Sequence, residues 1–512
     1  MRLILYIIFI LFAGDCATQG YFFSDQLGRY TFDKKTYGEE NRHSGIKPYL
    51  IQKEDTLISQ KGVWNYANTN DSVKYQLLPV IGFNVQENPV FQSEQDVYSA
   101  TKIGAQFNAS ISNKVSTQIR YSYNSGQLSP YVDSSVAKRP YVPGLGMLKD
   151  SSQRTYSLGE VDGYISYAPS RYFVFSSGVG KHFFGDGYRS LLLSDFAPTY
   201  PYLKMESTFW KVKYVNLLSA HKDFNHPLIS NNKFSSSHIL SWNVLKWFNL
   251  SVFESVVWQG KDSLNNNRGF DVNYINPFVF FRPVEYSIGS ADNSFFGGSL
   301  KVTIKKKHVI YGQLLLDEFN LNKWRNNKNW WANKYAAQLG FRSFDLFKVK
   351  GLHFLTEYNF VRPYTYSHMS SLQNYGHLNH SLAHPLESNL RELVTRIGFQ
   401  KNNIDLLLQY NFQEFGLDSP YRNYGGNMFK SYVDRFNTSD DYEHVVGQGK
   451  NVTQHLINAR ISYMLMPLTN TKFFLEYLYK NSKQGQGFSS SLNYSVISFG
   501  ISSNLWDSYQ DY

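Results

Sequence analysis

Cysteine is nearly absent from this chain. Its 512 residues contain one, Cys16, so no disulfide framework can form within it, and cleavage after that residue would leave no thiol nucleophile. Long apolar runs are just as scarce. Residues 3–13 (LILYIIFILFA) form one, and nothing later approaches the roughly 18 apolar residues that a transmembrane helix needs. That run follows a short basic start and precedes a small-residue exit, GDCATQG, so residues 1–20 are expected to be a secretory signal peptide. A lipoprotein reading would acylate Cys16, but Asp15 stands where a small residue is expected. With helical spans excluded, the exported chain is either soluble or a membrane β-barrel.

Aromatic side chains are in excess: 39 Tyr, 39 Phe and 9 Trp make up 17% of the chain, high for a soluble enzyme. The 51 basic and 40 acidic side chains leave +11, a balance that suits nucleic acid, anionic lipid headgroups or an acidic polysaccharide and does not choose among them.

Patterning narrows the choice. From about Tyr75 onward the dominant period is two. Ile103, Ala105, Phe107, Ala109 and Ile111 make one face apolar while Lys102, Gln106, Asn108 and Ser110 make the other polar, and the alternation resumes through Val115, Thr117, Ile119, Tyr121 and Tyr123. That is a hairpin with a tight turn. Ile457 to Leu465 and Phe473 to Tyr479 repeat the pattern, with charge on one face and rings or aliphatics on the other. Tight turns are expected around residues 113, 169–170, 246, 305–307, 345–346, 401–403 and 467–470, and long polar connections at about 125–157, 182–204, 259–294, 362–389 and 415–452. Short turns at one rim and long loops at the other describe an outer-membrane barrel.

Counting finds about 17 strands where an even number is the norm, and the up-and-down order requires one more crossing within residues 189–222. The expected fold class is therefore all-β: a transmembrane antiparallel β-barrel of the outer-membrane type, roughly 18 strands, spanning residues 74–512. Residues 21–73 alternate poorly and are read as a small N-terminal plug, a periplasmic segment, or plain disorder. The long loops are expected at the surface of a Gram-negative cell, with outer-membrane lipid around the wall. Tyr512, a terminal aromatic, suits recognition by the barrel-assembly machinery. No nucleic-acid partner is expected.

Residues 182–193, HFFGDGYRSLLL, concentrate residues that could carry chemistry. A phosphate loop would need a helix start and a Walker lysine, and neither follows. A nucleophile reading pairs Ser190 or Ser194 with His182 and Asp186 or Asp195, a geometry that local sequence does not supply. A structural corner at the barrel rim ranks first: the glycines supply positive φ, and Arg189, beside Tyr188, is fixed by Asp186 or Asp195 inside the lumen. Arg282, Glu285 and Tyr286 form a second cluster, and Glu357, Asn359, Arg362, Tyr364, Tyr366 and His368 a third. Arginine matches the carboxylates of acidic sugars, and tyrosine offers a ring for the sugar's apolar face and a hydroxyl for its edge. Pairing of these charges with one another across the lumen is the plainer alternative. His377, His380 and His384 share a loop with His368, but nothing in a loop makes their nitrogens converge, so no metal is expected. Lys305, Lys306 and Lys307 lie at the short-turn rim and read as a solvated turn.

Three stretches, SGVGKHFFGDGYRSLLLSDFAPTYPYL, INPFVFFRPVEYS and LTEYNFVRPYTYSH with the following HSLAHPLESN, resemble the Wzi-like capsule-assembly outer-membrane family. The branch they resemble is that of the Bacteroidetes, some of whose members are labelled gliding-motility proteins. The resemblance implies an 18-stranded barrel with a helical element at its N-terminal side, acting as a surface lectin that attaches capsular or extracellular polysaccharide, with support of motility as a further role. No cofactor and no enzymatic activity are expected. One departure matters: where the better-known capsule branch carries a tryptophan before the Gly-x-Gly corner, this chain has Phe183 and Phe184. A passive or gated pore is the alternative, since so many strands can enclose a channel. A hydrolase using His182 and a nearby serine is the second alternative.

Overall fold

The computed structural model describes residues 21–22, 33–37, 39, 42–50, 64–67, 73–87, 97–112, 114–127, 141–147, 155–226, 229–261, 266, 268–275, 292–326, 328–436, 441–467, 470–485, 490–503 and 511. The signal-peptide expectation lies outside them. Eighteen long strands follow one another in antiparallel order and close into a barrel. They are β1 (Val73–Glu87), β2 (Val97–Ile111), β3 (Val115–Gln127), β4 (Thr155–Tyr167), β5 (Phe173–Gly180), β6 (Tyr200–Phe209), β7 (Val212–His226), β8 (Ile229–Leu245), β9 (Phe248–Gln259), β10 (Asn293–Ile304), β11 (His308–Glu318), β12 (Lys334–Phe344), β13 (Leu352–Val361), β14 (Leu390–Lys401), β15 (Ile404–Leu417), β16 (Lys450–Met466), β17 (Thr471–Gln484) and β18 (Ser490–Ser503). Closure comes from β18 pairing with β1, Ile497 opposite Glu87 through Ser503 opposite Ile81. A short strand, Trp64–Ala67, continues along the same edge of β1, opposite Leu77 to Lys74.

The crossing that simple alternation misses is β6. It turns at Trp210 into β7, with Phe209 opposite Val212. Its inward positions Tyr200, Tyr202, Lys204 and Glu206 are buried, and Pro201 and Leu203 face out. Pro201 and the inward Lys204–Glu206 ion pair at 2.7 Å blur the period that marks its neighbours.

Two-residue periodicity explains both faces of the wall. On β3, Ser116, Gln118, Arg120, Ser122 and Asn124 are buried inside while Ile119, Tyr121 and Tyr123 stand exposed outside. Ile103 is 66% and Leu339 62% exposed, so the protein itself does not cover this apolar belt. Bare apolar area on this scale is stable only against lipid. Aromatic residues gather at the short-turn rim, where Tyr172 stacks on Phe209 and Trp210, Trp247 and Phe347 are exposed, as an interfacial girdle requires.

The lumen is filled from several directions. Ile46–Lys47 pairs with Phe183–Phe184, and Tyr21–Phe22 with Tyr49–Leu50; residues 33–37 make one helical turn. Residues 181–199, between β5 and β6, run inside, so HFFGDGYRSLLL lies within the barrel and not at its rim. Leu191, Leu192 and Leu193 join Ile46, Phe184, Tyr366, Tyr375, Leu382 and Met428 in one buried cluster. Residues 362–389 therefore fold inward as well. Asp511 also sits in the lumen, hydrogen-bonded to Arg189, Gln409 and Asn411; Tyr512 lies outside the described residues.

Candidate functional site

The corner at residues 184–193 is organised by Ser190. Its Oγ donates to the Phe184 carbonyl at 2.5 Å and accepts from the Leu192 and Leu193 amides at 3.2 and 3.3 Å. The Phe184 amide donates to the Leu193 carbonyl at 2.8 Å. Gly185 has φ +150°, as expected at a corner, and a Cβ there would lie 2.1 Å from Gln313 Nε2. Gly187 serves another need: a Cβ there would lie 2.2 Å from Glu357 Oε2 and 2.8 Å from the Arg189 carbonyl. Close approach, and not positive φ, excludes a side chain at that position.

Arg189 is not fixed by Asp186 or Asp195. Its guanidinium meets Glu392, Nε to Oε2 at 3.2 Å and Nη2 to Oε1 at 3.0 Å, and Asp511, Nη1 to Oδ1 at 3.2 Å and Nη2 to Oδ2 at 3.0 Å. Burial alone would ease the proton off the guanidinium, but Asp511 and Glu392 outweigh it and hold the charge in place. Asp186 points elsewhere, accepting from Ser44 Oγ at 2.6 Å and Tyr37 OH at 2.9 Å. Burial raises its carboxyl, yet Lys301 and Lys47 with these two hydrogen bonds leave it below the usual carboxylate range. Asp195 acts on Lys181, whose ammonium burial weakens and Glu160 and Asp195 support. The true partners of Arg189 lie hundreds of residues away in sequence, beyond the reach of a local motif.

Glu357 and Asn359, on β13, complete the same cluster. Glu357 accepts the Tyr188 and Arg189 amides at 2.8 and 3.0 Å and the Tyr311 hydroxyl at 2.9 Å. Asn359 Nδ2 bridges Glu357 at 2.9 Å and Glu392 at 3.2 Å. Arg362 turns away to the upper loops, donating to the carbonyls of Asn333 and Trp330 and to Asn329 Oδ1. Tyr364, at φ +65°, donates to the Asn423 carbonyl at 3.1 Å. Tyr366 donates to the Leu191 carbonyl at 2.9 Å and, like Tyr364, is fully buried. His368 packs edge-on against Tyr432. The structure thus divides the expected third cluster into a lumen clamp and a loop clamp, both buried. Arg282, Glu285 and Tyr286 lie outside the described residues.

The hydrolase geometry is not assembled. Ser194 Oγ donates to the Ala383 carbonyl at 2.5 Å, and His182 Nδ1 meets Tyr200 OH at 3.3 Å. Burial, with Lys204 nearby, holds the His182 imidazole well below its ordinary range. The loop histidines separate: His384 bonds Glu392 at 2.7 Å, while His377 packs edge-on to His221 and Tyr200. Among the described residues no group of three His, Cys, Asp or Glu is placed to hold a metal ion.

One loop escaped the sequence reading altogether. Residues 319–333, FNLNKWRNNKNWWAN, contain three tryptophans, three cations, six asparagines and no acid. They join β11 to β12 at the long-loop rim. A short helix, α1 (Leu321–Arg325), is started by Asn320, whose Oδ1 accepts the Lys323 amide at 3.1 Å, and buries none of its side chains. Trp324 is 53% exposed. Lys323 Nζ donates to Tyr442 OH at 2.6 Å and lies over the Trp330 and Tyr442 rings. Among the described residues Lys323, Arg325 and Lys328 form no ion pair with a carboxylate. Backbone bonds from Trp331 to Asp441, Glu443 to Lys328 and His444 to Asn329 fix the loop against residues 441–444. A local richness in Trp, Asn and cations without acid was the available signal.

A closed wall of eighteen antiparallel strands, apolar outside and polar within, defines a β-barrel of the outer-membrane type. No protein-family profile and no curated protein matches the sequence. Among solved structures the chain is similar to Wzi of Escherichia coli, described as an outer membrane protein involved in group 1 capsule assembly and a carbohydrate-binding β-barrel; the TM-score is 0.56 at 11% identity, covering 94% of this chain and 98% of that one. OccAB4 of Acinetobacter baumannii gives a TM-score of 0.45 at 8% identity over 85% of this chain and 98% of the other. OprD of Pseudomonas aeruginosa gives 0.41 at 9% over 86% and 97%. The likeness to Wzi is one of fold.

Proposed function

We propose that this barrel is a non-enzymatic surface protein that binds and holds an acidic capsular or extracellular polysaccharide at its long-loop rim. The observation that carries the proposal is the 319–333 loop. It offers an exposed indole for the apolar face of a sugar, cations that have no carboxylate partner among the described residues for uronate groups, and asparagine amides for hydroxyls. The Wzi fold, described for a carbohydrate-binding barrel of capsule assembly, supports the same assignment. Against the pore stands the lumen, where residues 181–199 and 362–389 are packed together and the Arg189 cluster is buried.

Retention of purified protein on immobilised polygalacturonate tests the proposal. The parent protein should be retained at low salt and released as salt rises, because exposed charges are screened. Lys323→Gln, Arg325→Gln and Lys328→Gln together should abolish retention while leaving the barrel folded. Absence of retention by the parent on any acidic glycan, together with a large steady conductance in planar bilayers, would replace the proposal with the pore.

A further inference from the structure

In the lumen one carboxylate, that of Asp511, is surrounded by donors from distant parts of the chain. Asp511 receives Tyr188 OH at 3.0 Å, Gln409 Nε2 at 2.5 Å and Asn411 Nδ2 at 2.9 Å on Oδ2, in addition to the Arg189 contacts. Its backbone carbonyl accepts from Arg189 Nη2 at 3.1 Å, Asn411 Nδ2 at 3.1 Å and Gln413 Nε2 at 3.0 Å. Gln409, Asn411 and Gln413 are alternate residues of β15, so the strand's own period points all three amides inward.

The rest of the receptor is braced without Asp511. Glu392 grips the Arg189 guanidinium, Gln413 also donates to Glu392 at 2.7 Å, and Glu357 holds the Tyr188 and Arg189 amides. Donors fixed in this way form a site before the acid arrives, and charge-assisted bonds to a planar carboxylate are the strongest such a site can make. Ordinary packing needs none of this: Asp511 lies past the final strand and ties the inward 181–199 loop to the far wall at β14 and β15.

We propose that Arg189, Tyr188, Gln409, Asn411 and Gln413 form a carboxylate-binding site, that Asp511 is its ligand in cis, and that this contact locks the plug. Vacated, the site takes a free monocarboxylate.

Planar-bilayer recording of the full-length Asp511→Ala protein, with folding confirmed by heat-modifiable migration, tests this. The parent should be nearly silent, and the variant should conduct about tenfold more of the time or more, as loss of a buried lock shifts the closed population. Acetate, with chloride matched, should return the variant to silence and leave the parent unchanged. A variant as silent as the parent overturns the lock, and conduction that acetate does not suppress overturns the receptor. If Asp511→Ala does not fold, Asp511→Asn, which keeps the shape and one acceptor oxygen, is read by the same two criteria.

Discussion

The lumen clamp and the rim loop are built from the same kinds of residue and do opposite things. Around Arg189, two tyrosines, two asparagines and three acids satisfy one another inside the barrel; Arg189, Glu357, Asn359 and Glu392 are all buried. At residues 319–333, a stretch with no acid of its own, Trp324, Arg325 and Lys328 stand exposed, and among the described residues neither cation has a carboxylate partner. Arginine and tyrosine near acids read from sequence as a glycan site, yet inside a barrel such groups must first pair, because an unpaired buried charge is costly. Exposure with unspent charge, and not residue type, separates the binding face from the brace.

The sharpest break of that contrast is Arg189→Ala. It leaves Glu392 and Asp511 buried without their cation and should cost about 3–5 kcal/mol, seen as a lowered urea midpoint in lipid vesicles with plug residues opened to protease. Acidification attacks the same interior. Burial, with Lys334 close by, holds His368 near about 4, and burial with Lys233 holds His377 near about 3. Both stay neutral in the packed loop, whereas a released loop binds protons near the ordinary histidine value of about 6.5. The packed form therefore loses stability as pH falls from about 6.5 toward those depressed values. Protease cleavage within residues 362–389 should rise over that window, and a flat profile would show that these histidines do not couple the packed loop to pH.

Gly187→Ala is a finer probe. Its methyl would enter the space between Glu357 and the Arg189 carbonyl, and overpacking of this kind costs about 1–3 kcal/mol, read from the same urea midpoint. Trp324→Ala should have the smallest effect on stability, within about 0.5 kcal/mol for a surface site. It should nonetheless weaken polygalacturonate retention roughly tenfold, as expected when about 1.4 kcal/mol of ring contact is lost. Equal damage to stability and retention would erase the difference between clamp and rim.

Much of the wall is legible in the sequence. Alternation over residues such as Ile103 to Ile111 and Ile457 to Leu465 specifies both the strand and its lipid-facing side, because side chains on a strand repeat every two residues. The tight turns at 305–307 and 345–346 and the long loop at 362–389 followed from the same pattern. Strand β6 was legible only by counting, since Pro201 and inward charges obscure it. The loop at 319–333 carries no alternation, so no periodic signal marks it between two clear strands.

By itself the sequence determined the material of the barrel: antiparallel strands, an apolar outside, a polar inside, and a strand order that demanded one more crossing. Those properties are local or additive along the chain. Tertiary structure decided which charges meet, because Arg189 reaches Glu392 and Asp511 only after the wall has closed and carried distant segments into one lumen. It also decided which aromatic residues remain free. Tyr364 and Tyr366 are buried in the inward 362–389 loop while Trp324 stays in solvent, and no spacing along the chain distinguishes them.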